Sequence, residues 1–313
     1  MALAFGKIIL FGEHAVVHGR RAIAASLPIP IETRVTEGEA GAVRLRIPAW
    51  ELDHKLAELP EVSKTLDAAV AKLIELTGLS GKGMTIEVTP HLTSGAGLGS
   101  SAAISVSILR GLKEAFALDL NDKAICGYAF EAEKIFHGTP SGLDNTISTY
   151  GGILQFRRGE PPVMERLSTR ISLPMVVALT GRSGDTKSMV AGVRARWQKN
   201  PNGYEFLFDQ VDRVVERALQ ALQENDLETL GLLMSINHGL LQTMGVSSKD
   251  LDLLTDVARA HGAYGAKLTG GGGGGAMISI VPPERGDAIV QAIRGAGYQA
   301  FFTTLTPNAP VPA

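Results

Sequence analysis

Two clusters of glycine constrain this chain more than any other feature. One is Ser94-Gly95-Ala96-Gly97-Leu98-Gly99-Ser100-Ser101; the other is the six-glycine run Gly270 to Gly275, which follows Lys267-Leu268-Thr269. Backbone without Cβ atoms lets peptide N–H groups converge on an anion, and a helix starting directly behind such a loop adds the positive end of its dipole. Ser100 and Ser101 stand at that helix start, where their hydroxyls can bond phosphate or ligate Mg²⁺. The competing reading of the first cluster is a tight turn with an ordinary serine N-cap, and that of the second is a flexible linker. The second run argues against a linker, because it passes straight into Ala276-Met277-Ile278-Ser279-Ile280, a segment that demands burial.

No Lys follows Gly99, which excludes a Walker A loop. Gly97 to Ala102 does satisfy the G-x-G-x-x-A pattern of a dinucleotide fold, but His91 to Ala96 separates the preceding strand from its first Gly. The element after Asn121 then reads as helix where a second parallel strand is required. The charge balance, 30 Lys and Arg against 32 Asp and Glu, provides no basic field for nucleic acid. Cys126 is the single cysteine, which excludes an internal disulfide framework and a cysteine-rich zinc site and fits a reducing compartment. No apolar run approaches the roughly 18 to 20 residues that cross a bilayer, and the amino terminus lacks a basic flank before Glu13 and His14. A cytoplasmic protein without a membrane segment is expected.

The 313 residues are enough for about two domains. Strands are expected at 7–12, 33–37, 42–47 and 84–88, helices at 62–76 with Ser63 as N-cap, from about Ser100, and over 122–136. A buried strand over 172–180 is followed by helical periodicity at 208–223, 227–241 and 251–261, with strands at 276–281 and 300–304 flanking a helix after Pro283. The shift in pattern places a boundary between about 155 and 175.

Two further stretches carry reactive residue types. In Phe136-His137-Gly138-Thr139-Pro140-Ser141-Gly142-Leu143-Asp144-Asn145 the helix breaks abruptly, so Asp144 is expected in or beside a constrained loop. Glu133, on the preceding helix, can face the same cavity. One carboxylate can hold Mg²⁺ while the other orients a hydroxyl; a surface Glu and an Asx-turn Asp are the plainer alternative. In Lys7-Ile8-Ile9-Leu10-Phe11-Gly12-Glu13-His14-Ala15-Val16-Val17-His18-Gly19, Lys7 begins a strand and can act as a point charge or simply guard a strand edge.

Jointly, GKIILFGEHAVVHG, GAGLGSSAA, EKIFHGTPSGLDN and KLTGGGGGG resemble the motifs of the GHMP kinases, small-molecule kinases, in order and spacing across nearly the whole chain. Phe5, Thr93-Ser94 and Gly271 depart from the usual pattern without removing a reacting group. The resemblance implies an α+β, two-lobed fold, with a ribosomal S5 domain 2-like amino-terminal domain over 1–165 and a ferredoxin-like carboxy-terminal domain over 166–313. It implies ATP as co-substrate, held by Gly95, Ala96, Gly97, Leu98, Gly99, Ser100 and Ser101 and by Gly271, Gly272 and Gly273. Asp144 takes the acidic catalytic position with Lys7 as its cationic neighbour, and Ser101 and Glu133 take the Mg²⁺ positions. Within the family, GEHAVVHG is similar to the branch that phosphorylates the 5-hydroxyl of mevalonate. That likeness puts Glu13 and His14 near the substrate hydroxyls and Arg194 near its carboxylate, and a homodimer is common in the family. A kinase for another alcohol or a phosphorylated alcohol, or a non-catalytic sensor, are the alternatives; the presence of Lys7, Glu133 and Asp144 together disfavours the sensor.

Overall fold

The computed structural model describes residues 1–56, 64–91, 97–138, 140–159, 162–167, 169 and 171–306. Gly95 and Ala96 of the first glycine cluster, and Ser63, lie outside the described residues.

The amino-terminal half contains strands β1 (Ala2–Phe11), β2 (Arg21–Glu37), β3 (Val43–Ile47), β4 (Leu52–Lys55), β5 (Met84–Pro90), β6 (Ile153–Arg157) and β7 (Val163–Arg166), and helices α1 (Lys64–Leu76), α2 (Ser100–Phe116), α3 (Asp122–His137) and α4 (Leu143–Tyr150). All seven strands join one sheet, ordered β4-β3-β5-β2-β6-β7 with β1 on β2. β2 runs through 17 residues. Residues 23–33 pair with β1 on one edge, and the other edge is divided between β6, over 21–25, and β5, over 31–37. Pro28 and Pro30 fall between those two partners, where no amide hydrogen is needed. α2 is rich in small residues because it lies close against this sheet: a Cβ on Gly111 would come within 2.9 Å of Val35, and Ser107 bonds Thr33 across the interface at 2.8 Å.

The carboxy-terminal half forms a four-stranded antiparallel sheet, ordered β11-β8-β10-β9, from β8 (Leu173–Leu179), β9 (Gly265–Thr269), β10 (Ala276–Ile280) and β11 (Gln299–Leu305). Helices α5 (Thr186–Lys199), α6 (Pro201–Glu224), α7 (Leu227–Thr243), α8 (Lys249–Ala260) and α9 (Gly286–Gly295) surround it. Every residue of β8, β9 and β10 is buried, so period-two alternation is absent from their sequences and both faces are covered. One face, with Val176, Ala178 and Met277, packs on α8 and α9. The other, with Met175, Val177, Ile278 and Ile280, belongs to the same apolar core as Ile8, Leu10, Ile23 and Val106 of the amino-terminal half. Each such side chain contributes roughly 1.5–3 kcal/mol on burial.

One expectation needs correction, one is sharpened, and one strand is new. Lys7 sits in the middle of β1, not at its start, because the apolar run extends back to Ala2. Asp144 stands beside the constrained loop, in the first turn of α4, because Gly142, at φ +84°, turns the chain into a helix there. Lys267-Leu268-Thr269 is itself strand β9.

Candidate active site

β1 and the start of α4 bring together the two charges that the sequence separates by more than a hundred residues. Lys7 Nζ lies 3.2 Å from Asp144 Oδ1, with the side chains 8% and 28% exposed. At the amino end of a helix the dipole favours a carboxylate. Asn145 Nδ2 donates to the Cys126 carbonyl at 3.1 Å and so anchors that end of α4 on α3. The first glycine loop is fastened to the same strand: the Lys7 amide donates to Leu98 O at 2.7 Å. Gly99 has φ +73°, and a Cβ there would stand 2.6 Å from Lys7 Cγ, so only glycine lets the loop pass over the lysine. α2 begins immediately after it, which aims a helix amino terminus into the cleft.

Glu133, on α3, is buried beside this pair. Its Oε1 has no hydrogen-bond partner, and its pKa is pushed up to about 8 by burial first and by the negative charge of Asp144 second; Ser101 and Lys7 pull it the other way. His137, one turn on, places Nε2 3.3 Å from Ser101 Oγ and 3.6 Å from Glu133 Oε2. Burial lowers the pKa of that imidazole. A buried carboxylate oxygen without a donor, next to a serine hydroxyl and a phosphate-type loop, is a hard-oxygen set that suits Mg²⁺ completed by phosphate oxygens and water. Among the described residues no three His, Cys, Asp or Glu side chains gather into an all-protein metal cage.

The second glycine run is no linker. Gly272 and Gly273 have φ of +76° and +71°, and a Cβ on Gly272 would lie 2.0 Å from Val246 O. The Gly273 amide donates to that carbonyl at 2.8 Å. A Cβ on Gly271 would meet Thr186 Oγ1 at 2.7 Å, and one on Gly270 would stand 3.5 Å from Gly97 O. The two glycine clusters therefore abut across the lobes.

His14 and Glu13 meet this run in different ways. His14 holds φ +61° and donates from Nε2 to Gly271 O at 2.9 Å, which fixes the neutral tautomer; its pKa falls to about 4, chiefly through burial. Glu13 does not face an open site as expected. It forms a fully buried ion pair with Lys267, and its second oxygen accepts from Asn237 Nδ2 at 3.0 Å. Arg194 is exposed on α5 and its field reaches His18. The arginine whose field reaches His14 is Arg196, bonded to Tyr204 Oη at 3.1 Å. A cavity of about 640 Å³ also lies between the lobes, lined by Ile29, His91 and Leu98 and by Leu179, Arg294 and Phe301 among others; none of Lys7, Glu133 and Asp144 borders it.

The family description "GHMP kinases N terminal domain" matches residues 64–152, and "GHMP kinases C terminal" matches residues 218–299. Mevalonate kinase of Thermococcus gammatolerans is 36% identical over 328 residues, spanning 98% of this chain and 96% of its own length. The chain belongs to the GHMP kinases. The mevalonate kinase of Thermococcus sibiricus is 35% identical over 98% of this GHMP kinase and 96% of its own length. Crystalline L. major mevalonate kinase in complex with R-mevalonate superposes with a TM-score of 0.88 at 32% identity, over 98% of this chain and 96% of that one.

In this GHMP kinase His137, Arg196 and Lys267 escape a reading of the sequence. Arg196 has a signal: it lies three residues past the buried Val193, on that face of α5, whereas Arg194 is turned about 100° away. His137 follows Glu133 by four residues, the spacing of one helical face. Lys267 has none, since a lysine before a glycine run reads as a solvent-facing cation.

Proposed function

We propose that this chain transfers the γ-phosphoryl group of ATP to the 5-hydroxyl of mevalonate. The observation that carries the reading is the Lys7–Asp144 pair, 3.2 Å apart, directly beneath the loop that Gly99 threads over Lys7, in a chain so similar to mevalonate kinases along its whole length. The two glycine loops cradle the triphosphate by backbone N–H groups and the amino end of α2. Phosphoryl transfer has a loose transition state, so positioning and charge neutralisation dominate. Asp144 orients the acceptor hydroxyl and receives its proton as oxygen bonds to the γ-phosphorus; the bond to the β–γ bridging oxygen breaks and ADP leaves. Lys7 neutralises charge on the transferring group and holds Asp144 in place. Glu133 and Ser101 would hold Mg²⁺, which when bound would supply positive charge to offset that of the triphosphate. His14 and Arg196 face the acceptor; a guanidinium offers the forked donors that a carboxylate takes. Arg194, on the outer face of α5, is a weaker partner for that carboxylate.

We also take the chain to divide after residue 165 into two functional domains, to work in the cytoplasm, and to pair as a homodimer. The homodimer follows from the family resemblance and the cytoplasm from the single cysteine and the character of the amino terminus; among the described residues no helix is long and apolar enough to cross a membrane.

The test is ADP release coupled to mevalonate, phosphomevalonate, galactose and homoserine in turn. Mevalonate alone should give turnover, and Asp144→Asn should lower kcat by at least about 100-fold. Turnover on another alcohol with none on mevalonate rejects the substrate; an undiminished rate in Asp144→Asn rejects the mechanism.

A further inference from the structure

Lys267 has no part in the chemistry above, yet it is fully buried. Its ammonium pairs with Glu13 and donates to Leu268 O at 2.6 Å, with Ile9 O at 3.5 Å. Two residues on, Thr269 Oγ1 accepts from the Ile9 amide and donates to the Ile9 carbonyl, both at 3.0 Å. β9 is thus stitched to β1 at Ile9, two residues from Lys7, and at Glu13 in the turn that follows.

Resting on the kinase reading above, we propose that Lys267 is a positioning residue for phosphoryl transfer: through Glu13 and Ile9 it sets the second glycine loop in register with the strand that carries Lys7. Burying two charges is expensive, and apolar side chains of similar volume would hold the lobes at least as firmly. Apolar surfaces slide over one another; an ammonium bonded to one carboxylate and flanked by two carbonyls allows a single alignment. Burial lowers the pKa of Lys267 and Glu13 raises it, so the pair is mutually dependent. What the register controls is close at hand. β9 runs directly into Gly270, which abuts Gly97 O, and Gly271, whose carbonyl is taken by His14. A slip of about 1 Å in such a cradle costs on the order of 100-fold in rate.

Lys267→Met alone leaves Glu13 buried without its cation and can prevent folding. The informative protein is the double variant Glu13→Gln, Lys267→Met, which removes both charges at nearly constant volume. Melting temperature, kcat and both KM values are measured on it and on the parent enzyme. The expected result is a melting temperature within a few degrees of the parent, a kcat at least tenfold lower, and a KM for mevalonate within about threefold. A folded double variant with kcat within threefold of the parent overturns the proposal, because the pair is then only cohesive. If the double variant does not fold, Glu13→Asp decides, since it keeps both charges but draws the carboxylate back from Lys267 by one methylene and so shifts the alignment. A kcat reduced two- to fivefold at constant mevalonate KM supports the assignment, and an unchanged kcat overturns it. Parent turnover in the same assay keeps the two questions apart. Absence of mevalonate-dependent ADP from the parent strikes the kinase reading, whereas only the difference between proteins bears on Lys267.

Discussion

His14 combines a positive φ of 61°, burial that disfavours the charged ring and a hydrogen bond to Gly271 O that requires a hydrogen on Nε2. Its pKa is about 4 in the folded protein against 6.5 for the free side chain. Between those values the unfolded chain binds a proton that the folded one refuses. The stability contributed by the neutral ring is therefore complete above about pH 6.5 and is lost as pH falls through 4, amounting to ~3 kcal/mol. Urea unfolding of the parent and of His14→Asn, which tolerates the positive φ, should show the parent's advantage shrinking by about that amount between roughly pH 7 and pH 4. An advantage independent of pH would mean that His14 titrates normally. Residue types at this scale were legible in the sequence, but their directions were not. The spacing Gly12-Glu13-His14 marks a turn bearing two reactive side chains. Nothing local tells that Glu13 points inward, because its partners Asn237 and Lys267 lie 224 and 254 residues away.

Among the elements, the loop that enters α2 is the most demanding. Gly99→Ala adds the strain of a positive φ and also pushes a methyl group into Lys7 Cγ at 2.6 Å. Gly78, after α1, has nearly the same φ, +72°, with nothing within 4 Å of a Cβ, and isolates the first cost. Gly78→Ala should lose about 1–2 kcal/mol in thermal or urea unfolding and Gly99→Ala at least as much, whereas only Gly99→Ala should lose kcat, by at least about tenfold, as Lys7 is displaced. Equal kcat in the two would show that the lysine accommodates the methyl. Long periodic elements such as α1, α3 and α6 were readable because their apolar faces repeat at helical spacing. α4 was not: eight residues rich in Thr, Ser and Asn, entered through Gly138, Pro140 and Gly142, carry the composition of a loop, and tertiary anchors such as Asn145 on Cys126 make it helical. β9 was missed because its five residues, Gly-Ala-Lys-Leu-Thr, hold one large apolar side chain and a lysine, whereas the equally buried β8 and β10 are nearly continuous apolar runs.

At the scale of the molecule, the two sheets share one apolar core in which Ile8 and Leu10 meet Met175, Ile278 and Val215. Arg20, just before β2, and Arg21, its first residue, fasten its rim to Glu205, Asp209 and Asp212 of α6. Calorimetry of the ligand-free protein should accordingly give one cooperative transition, with calorimetric and van't Hoff enthalpies in agreement; two resolved transitions would show that the lobes unfold separately. The sequence suggested two halves from the change of pattern near residue 165, but not their shared interior, because the apolar residues of β1 and β8 look the same whether they face their own lobe or the other.

The bonds from Thr269 to Ile9 and from Lys267 to Glu13 join positions about 260 residues apart. During synthesis β1 leaves the ribosome about 250 residues before β9, to which it is bonded through side chains, emerges. A nascent chain therefore holds Lys7 and Asp144 without the second glycine loop, and its catalytic cleft is the last part to close. Unfinished or carboxy-terminally clipped chains should consume no ATP, and until release they present a bare apolar flank that invites chaperones.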